Sequence, residues 1–494
     1  MPIAATERLR LLVGRTSVRQ VAGATVFWAA LLLGCFLAGL LTIIAGDFGA
    51  QRPALLLALP LLLLLGFAFF LAPKGLVVCI LLFRACLDPV FGEGRLPGIG
   101  GVGGLVNLTV ILLAFAMTMR DNKRIPKQAW MVWIPFMVFQ LAGLAYAPDF
   151  IPALRLFLGQ MATMSVFLLA FHLVDDWSSF DRALKIIVAS SVPVVIYTLI
   201  AIARGDRYGT LDGFEAPSSR YAGPFPHPNI LAFYVVLVIG VLLYQWKNVR
   251  SSPGLLKSSA FISYAAILVV LLFATKTRSA WVSALFLFLV YGLKVQRRYL
   301  IYVALVPAFA LLVPEIRDRV LELGQGNQVV QYAKLNSFAW RKLIWTDGLT
   351  WMSPIHYLFG YGSGAFVYYS STFFSMAGGR SMGAHSVAVQ QFFELGIGGL
   401  ISFFWMFWSS FKQLILVHKD DLLLKVIFSA IVFSYVLIAL SDNMLAYLTF
   451  NWYFWFAVGA ACSVGFHQRG LTEAEDTFRV PSSKYSRLRQ DALR

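Results

Sequence analysis

Apolar residues run along this chain in long uninterrupted stretches, and polar residues gather in the short breaks between them. Scanned over about 19 residues, the pattern predicts spans near 21–46, 54–72, 75–91, 99–119, 129–147, 153–173, 183–203, 229–246, 258–274, 279–293, 299–313, 396–417, 422–440 and 451–467. That is about fourteen helices, each near the 20 apolar residues a bilayer crossing needs. The third is interrupted by Arg84, Asp88 and Pro89, which predicts a tilted or partly re-entrant segment. Two connections exceed short turns, 204–228 and 314–395, and long connections tend to carry function. In the second, NQVVQYAKLNSFAWRKLIWTDGLTWM has apolar residues at helical spacing and predicts amphipathic helices on the outer membrane–water boundary. The predicted order is a basic N-terminus (1–20), spans with one outer loop (21–313), the large loop (314–395), the last spans (396–467) and a basic, Ser-rich, disordered tail (468–494).

Composition agrees with that pattern. Of the 494 residues 59% are hydrophobic and only 13% charged, about half the charged fraction of a soluble domain. A water-soluble enzyme is excluded, and the fold class is an all-α integral membrane protein, a polytopic bundle of about 12–14 transmembrane helices. The net charge of +17 would suit a nucleic-acid partner, but the distribution argues otherwise. With a cytoplasmic N-terminus, about 26 of the 41 Lys and Arg fall in cytoplasmic segments, as topology alone demands. Both termini are therefore expected inside a cytoplasmic (inner) membrane and both long connections on its outer, periplasmic face. No nucleic acid is expected, and the basic tail is placed to touch anionic membrane lipids. The basic N-terminus precedes an apolar stretch without a small-residue cleavage site and reads as a retained first span. Cys35, Cys79, Cys86 and Cys462 all lie in apolar runs without metal-ligand spacing.

Candidate chemistry sits on the outer side. Arg220 precedes the Pro224, Pro226 and Pro228 ladder, which forces an extended approach to a helix, and Asn229 falls where the helix N-cap belongs. Arg220 and that helix mouth read as an anion site. Arg278 occupies a tight outer turn two residues after Lys276. An interfacial Arg can simply snorkel to headgroups, yet a guanidinium held in so short a turn can offer forked donors to phosphate. His385 ends the long loop, after Gly378, Gly379 and Gly383 and ahead of an apolar helical run containing Glu394. A lone His is more often structural, but one at a water-accessible position is suited to take a hydroxyl proton. Two arginines for a diphosphate and one histidine base make up the constellation. Glu394, Asn229, Lys276, Arg341 and Asp442 are secondary candidates for the acceptor. GIGGVGG at 98–104 fits Gly-x-Gly-x-x-Gly without a preceding strand and reads as close helix packing. No metal-binding signature is present in the sequence, and no cofactor is expected.

Three segments together resemble the superfamily of bacterial O-antigen ligases and polysaccharide polymerases. RYAGPFPHPNILA, beginning at Arg220, is similar to the family's Arg-x-x-Gly-(few)-Pro-Asn-x-x-Ala segment, and Thr277-Arg278-Ser279 to its Ser/Thr-Arg-Ser/Thr-Ala turn. FGYGSGAF and AHSVAVQQFFELGIGGLI resemble its Gly-x-Gly loop and its His-Asn-x-x-Leu-Gln-x-x-x-Glu-x-Gly helix, with Ser386 standing where Asn is common. The resemblance implies a GT-C-like glycosyltransferase that works without metal. By analogy Arg220 and Arg278 would hold the diphosphate of an undecaprenyl-linked glycan donor, and His385 would activate the acceptor hydroxyl. LFRACLDPVFGEG, SFAWRKLIW and SDNMLAYLTF look more like exopolysaccharide or O-antigen polymerases than like ligases to lipid A-core. The acceptor would then be a glycan, with lipid A-core the alternative, and a chain-length regulator is a further expected partner. A flippase for lipid-linked oligosaccharides would share the span count, but such transporters carry internal repeats and broken midplane helices. Here no repeat is evident and the polar features cluster outside. A structural membrane component whose long loop binds a partner is the third reading.

Overall fold

The computed structural model describes residues 66, 68–93, 95–96, 100–208, 220–248, 255–321, 324, 336–417 and 421–478. The N-terminus, the span expected at 21–46, most of that at 54–72, the middle of the 204–228 connection and the end of the tail lie outside them. The chain divides into two compact units, Met1–Cys79 and Ile80–Arg494, and the candidate site belongs to the second.

Helices form where the apolar runs predict them. The expected third span is α1 (Pro73–Phe83) and α2 (Asp88–Glu93), broken around Arg84, whose guanidinium pairs with Asp88. A two-residue antiparallel ribbon, β1 (Arg95–Leu96) with β2 (Gly100–Gly101), then leads into α3 (Val102–Arg120). The bundle continues with α4 (Lys127–Ala145), α5 (Phe150–Leu173), α6 (Trp177–Arg204), α7 (Pro228–Lys247), α8 (Leu255–Ala274), α9 (Arg278–Lys294) and α10 (Tyr299–Ala310). The loop contributes α11 (Pro314–Leu321), α12 (Ser337–Trp351), α13 (His356–Phe359) and α14 (Ala365–Phe373). The chain closes with α15 (Val387–Val417), α16 (Leu422–Ala439) and α17 (Leu448–Phe478), so the last helix outruns the span expected at 451–467.

Among the described residues seven helices are long and apolar enough to cross a membrane, and the protein is a multi-pass membrane protein with an all-α fold. The run at 299–313 falls short of a full crossing. Its helix has 12 residues with Pro307 inside and rises about 18 Å against a hydrocarbon core of about 30 Å. Leu108, Leu112, Phe115 and Met119 form an exposed stripe along α3, as a lipid-facing helix requires.

The core is built around α7, which packs against α6, α8, α9, α16 and α17. It is buried along nearly its whole length, as its all-round apolar sequence demands. Elsewhere α17 lies on α5, and Trp455 meets Trp133 of α4 at 4.7 Å and Phe167 of α5 at 5.8 Å. Gly459 permits that approach, because a Cβ there would come within 2.6 Å of the Phe167 carbonyl oxygen. The loop has a core of its own, in which Ile344 of α12, Phe366 of α14, Phe374 and Phe393 of α15 are buried together, flanked by Trp340, Trp345 and Tyr361. The apolar face of α12 packs into this cluster. α15 contains a break at Gly396 (φ 66°), so its first part completes the loop and its second part is the span expected from residue 396.

Candidate functional site

The approach to α7 shows how local sequence places the first group. Pro228 takes the first helical position, where no amide hydrogen is needed. The cap therefore falls two residues earlier than its expected place at Asn229. His227 is the N-cap, and its Nδ1 accepts the Asn229 amide at 3.1 Å. Asn229, relieved of capping, uses its side chain sideways. Its Oδ1 accepts from Arg220 Nη2 at 2.5 Å and from the Thr277 hydroxyl at 3.2 Å, and its Nδ2 donates to Asp442 at 2.6 Å. Arg220 also donates through Nε to the Thr275 carbonyl at 2.8 Å and through Nη2 to Thr277 Oγ1 at 2.9 Å. The guanidinium plane is thus set by the turn between α8 and α9 and by the first turn of α7. Asp442 is buried and accepts from the Tyr447 hydroxyl at 2.6 Å and from the Asn443 amide at 2.9 Å. A charge so deep is tolerable only with such a set of donors.

The loop closes on this network from the other side. Arg341 of α12 donates to the Ser441 carbonyl, one residue before Asp442. His385 has φ 49°, a left-handed conformation that costs a residue with a Cβ about 1–2 kcal/mol. Its neighbours hold it there. Trp345 Nε1 donates to the Ala384 carbonyl at 2.6 Å, the ring of Trp340 meets the His385 imidazole edge to face at 5.7 Å, and Ser386 Oγ accepts the Val389 amide at 3.3 Å at the start of α15. Ser386 therefore does what Asn does well at the same place, since both are strong helix-capping residues. Burial, then the positive charge of Arg341, pushes the His385 pKa below its usual value, with Asp442 opposing. The imidazole is neutral near pH 7 and can accept a proton.

The remaining candidates divide between the network and the loop. Arg278 opens α9, and its Nη2 donates to the Ser337 hydroxyl, the first residue of α12, at 2.9 Å. It ties the 275–277 turn, which also binds Arg220, to the loop. Lys276, in the same turn, has φ 48°. Glu394, expected beside His385, is directed to the loop instead. Its buried carboxylate accepts the amides of Gly364 and Phe366 at the start of α14, together with Gln390 Nε2 at 3.0 Å. The glycine turn of FGYGSGAF is wrapped around the same residue, for Gly362 N donates to the Glu394 carbonyl at 2.8 Å. The amides of this turn and of the start of α14 thus serve the chain's own Glu394.

Three residues of the network are not singled out as candidates in the sequence reading, although Thr277 and His227 lie within its motifs. His227 reads as a turn residue, yet its ring lies parallel to Tyr447 (6.2 Å, 16°) and edge-on to Tyr208 (5.3 Å). Its pKa is lowered to about 4 by burial and then by Arg220. Thr277 and Tyr447 are the others, the first bridging Arg220 and Asn229, the second holding Asp442. The position of His227 between Pro226 and Pro228 is the one cue available, because prolines on both sides fix a ring at a helix mouth.

Residues 263–404 match the O-antigen ligase family model. The matched stretch includes Thr277, Arg278, Arg341, His385 and Glu394, and ends before Asp442. No curated protein matches the chain. The family match bears out the resemblance to the O-antigen ligase and polysaccharide polymerase superfamily.

Proposed function

We propose that this protein is a membrane glycosyltransferase that transfers an undecaprenyl diphosphate-linked glycan to an acceptor hydroxyl on the outer face of the cytoplasmic membrane, most simply as an exopolysaccharide or O-antigen polymerase. The observation that carries the reading is the placement of His385, held in a left-handed turn at the end of the loop within electrostatic reach of Arg341 and Asp442, with Asp442 joined through Asn229 to Arg220. The acceptor oxygen attacks the anomeric carbon, its proton passes to His385, and the electron pair of the broken C–O bond leaves on the diphosphate. Arg220 and Arg278 stabilise that developing charge, and a positioned base contributes about 100- to 10,000-fold. The donor already carries an activated sugar, so the chemistry asks for no nucleotide site. The family match supports glycan transfer over a flippase.

The test is the purified protein reconstituted with undecaprenyl-diphosphate glycan. A ladder of longer chains identifies a polymerase, a single transfer to lipid A-core identifies a ligase, and movement of the lipid across the bilayer without transfer identifies a flippase. His385→Ala should abolish transfer, and full activity in that variant would remove the proposed base. Arg278→Lys should keep charge and lose most activity, since a forked donor is lost. A tag within 314–395 that labels from the cytoplasm would overturn the outer placement.

A further inference from the structure

His227 lies outside the stretch matched by the family model, and the chemistry above uses only one histidine. The ring is nevertheless among the best held in the network. Nδ1 accepts the Asn229 amide at 3.1 Å, Tyr447 lies parallel to one face and Tyr208 meets it edge-on. A ring nitrogen that accepts from a backbone N–H carries no hydrogen, so the neutral imidazole has its single proton on Nε2. Protonation at Nδ1 would set two N–H donors against each other at the positive end of α7. The charged groups around the ring, Arg220, Arg341, His385 and Asp442, are cationic or neutral except for Asp442. His227 is half-buried. The result is a rigid, uncharged N–H donor among arginines, at a place where an anion would be drawn.

We propose that His227 is a second substrate-contacting imidazole, fixed as its Nε2–H tautomer, that donates a hydrogen bond to an oxygen of the donor's diphosphate while His385 takes the acceptor's proton. This rests on the diphosphate-linked donor proposed above. The two histidines then have opposite tasks set by their surroundings. His227 keeps its proton because a helix amide occupies its other nitrogen, and His385 accepts one.

Two substitutions separate capping from donation. His227→Asn keeps a side-chain acceptor at the N-cap, where Asn is a preferred residue, but ends short of Nε2. His227→Gln extends an amide N–H towards the Nε2 position. With protein in nanodiscs, His227→Asn should weaken binding of undecaprenyl diphosphate and lower kcat/KM by about 10- to 100-fold, the usual worth of a hydrogen bond to a charged group, with an unchanged unfolding midpoint. His227→Gln should recover most of both. Binding by His227→Asn equal to the parent's overturns the proposal, as does a ¹⁵N-histidine spectrum placing the His227 proton on Nδ1 or showing a cationic ring at pH 6. His385→Ala distinguishes the two ideas, because it should abolish transfer yet leave undecaprenyl diphosphate binding intact. A parent protein that does not bind undecaprenyl diphosphate overturns both.

Discussion

The mouth of α7 and the loop that closes over it are held by different forces. At the mouth, Arg220, Asn229, Thr277, Asp442 and Tyr447 are joined by directed hydrogen bonds. In the loop, Ile344, Phe366, Phe374 and Phe393 are packed by apolar contact, and the buried Glu394 carboxyl is turned to the α14 amides. A hydrogen-bonded network sets orientation and charge, because each member has one geometry in which every polar atom is satisfied. An aromatic cluster supplies cohesion without direction. His385 sits at the seam, its backbone fixed by the loop through Trp345 and its proton affinity lowered by burial and Arg341 against Asp442.

The sharpest way to break that division is at Gly396. Its φ of 66° is unfavourable for any other residue, and a Cβ there would strike the Leu358 carbonyl. Gly396→Ala should cost about 2–4 kcal/mol and detach the loop from its span, read as faster proteolysis of 314–395 with loss of transfer. Next is Asp442→Asn, which removes the charge and sets an amide NH2 against Asn229 Nδ2, while the remaining oxygen can still accept from Tyr447. Transfer should fall about 100-fold, and the acid limb of the pH–rate profile should move to lower pH, because Asp442 holds the His385 pKa up. Arg341→Gln moves that limb the other way. Losing the guanidinium raises the His385 pKa, so the base is protonated at a higher pH and activity at the acid end of the profile should drop. A limb unmoved in both variants would mean that His385 is not the titrating base. Smallest is Ser386→Asn, an exchange of one N-cap for another, with stability expected within about 0.5 kcal/mol and transfer nearly unchanged.

Much of the fold was legible without coordinates. The twelve expected spans within the described residues each meet a helix, and even the weak one was marked by Arg84, Asp88 and Pro89, where α1 gives way to α2. The 299–313 run was read as a crossing because hydropathy registers apolar length and not where a helix stops. In the site, Arg220 and Arg278 stand out as basic residues on the side expected to be outer, His385 as an imidazole at a water-accessible position, and Arg341 and Asp442 as secondary acceptor candidates. Glu394 was placed beside His385 because both lie on one short segment, whereas its carboxylate turns to the amides at Gly364 and Phe366. Thr277 and Tyr447 had no such mark, since a hydroxyl near a membrane end is unremarkable until its partner is known.

By itself the sequence determined the local features, namely apolar helices, a proline-led start to α7, glycines at the turns and basic residues gathered in the polar breaks between apolar runs. These follow from backbone sterics, hydropathy and the bilayer's thickness, each acting over a few residues at a time. Only the tertiary structure decided that Asn229 would meet Asp442, 213 residues away, and that Arg220 would be fixed by Thr277, 57 residues away. Hydrogen bonds reach about 3 Å, so which side chains they join depends on how the helices pack, and no local pattern encodes that.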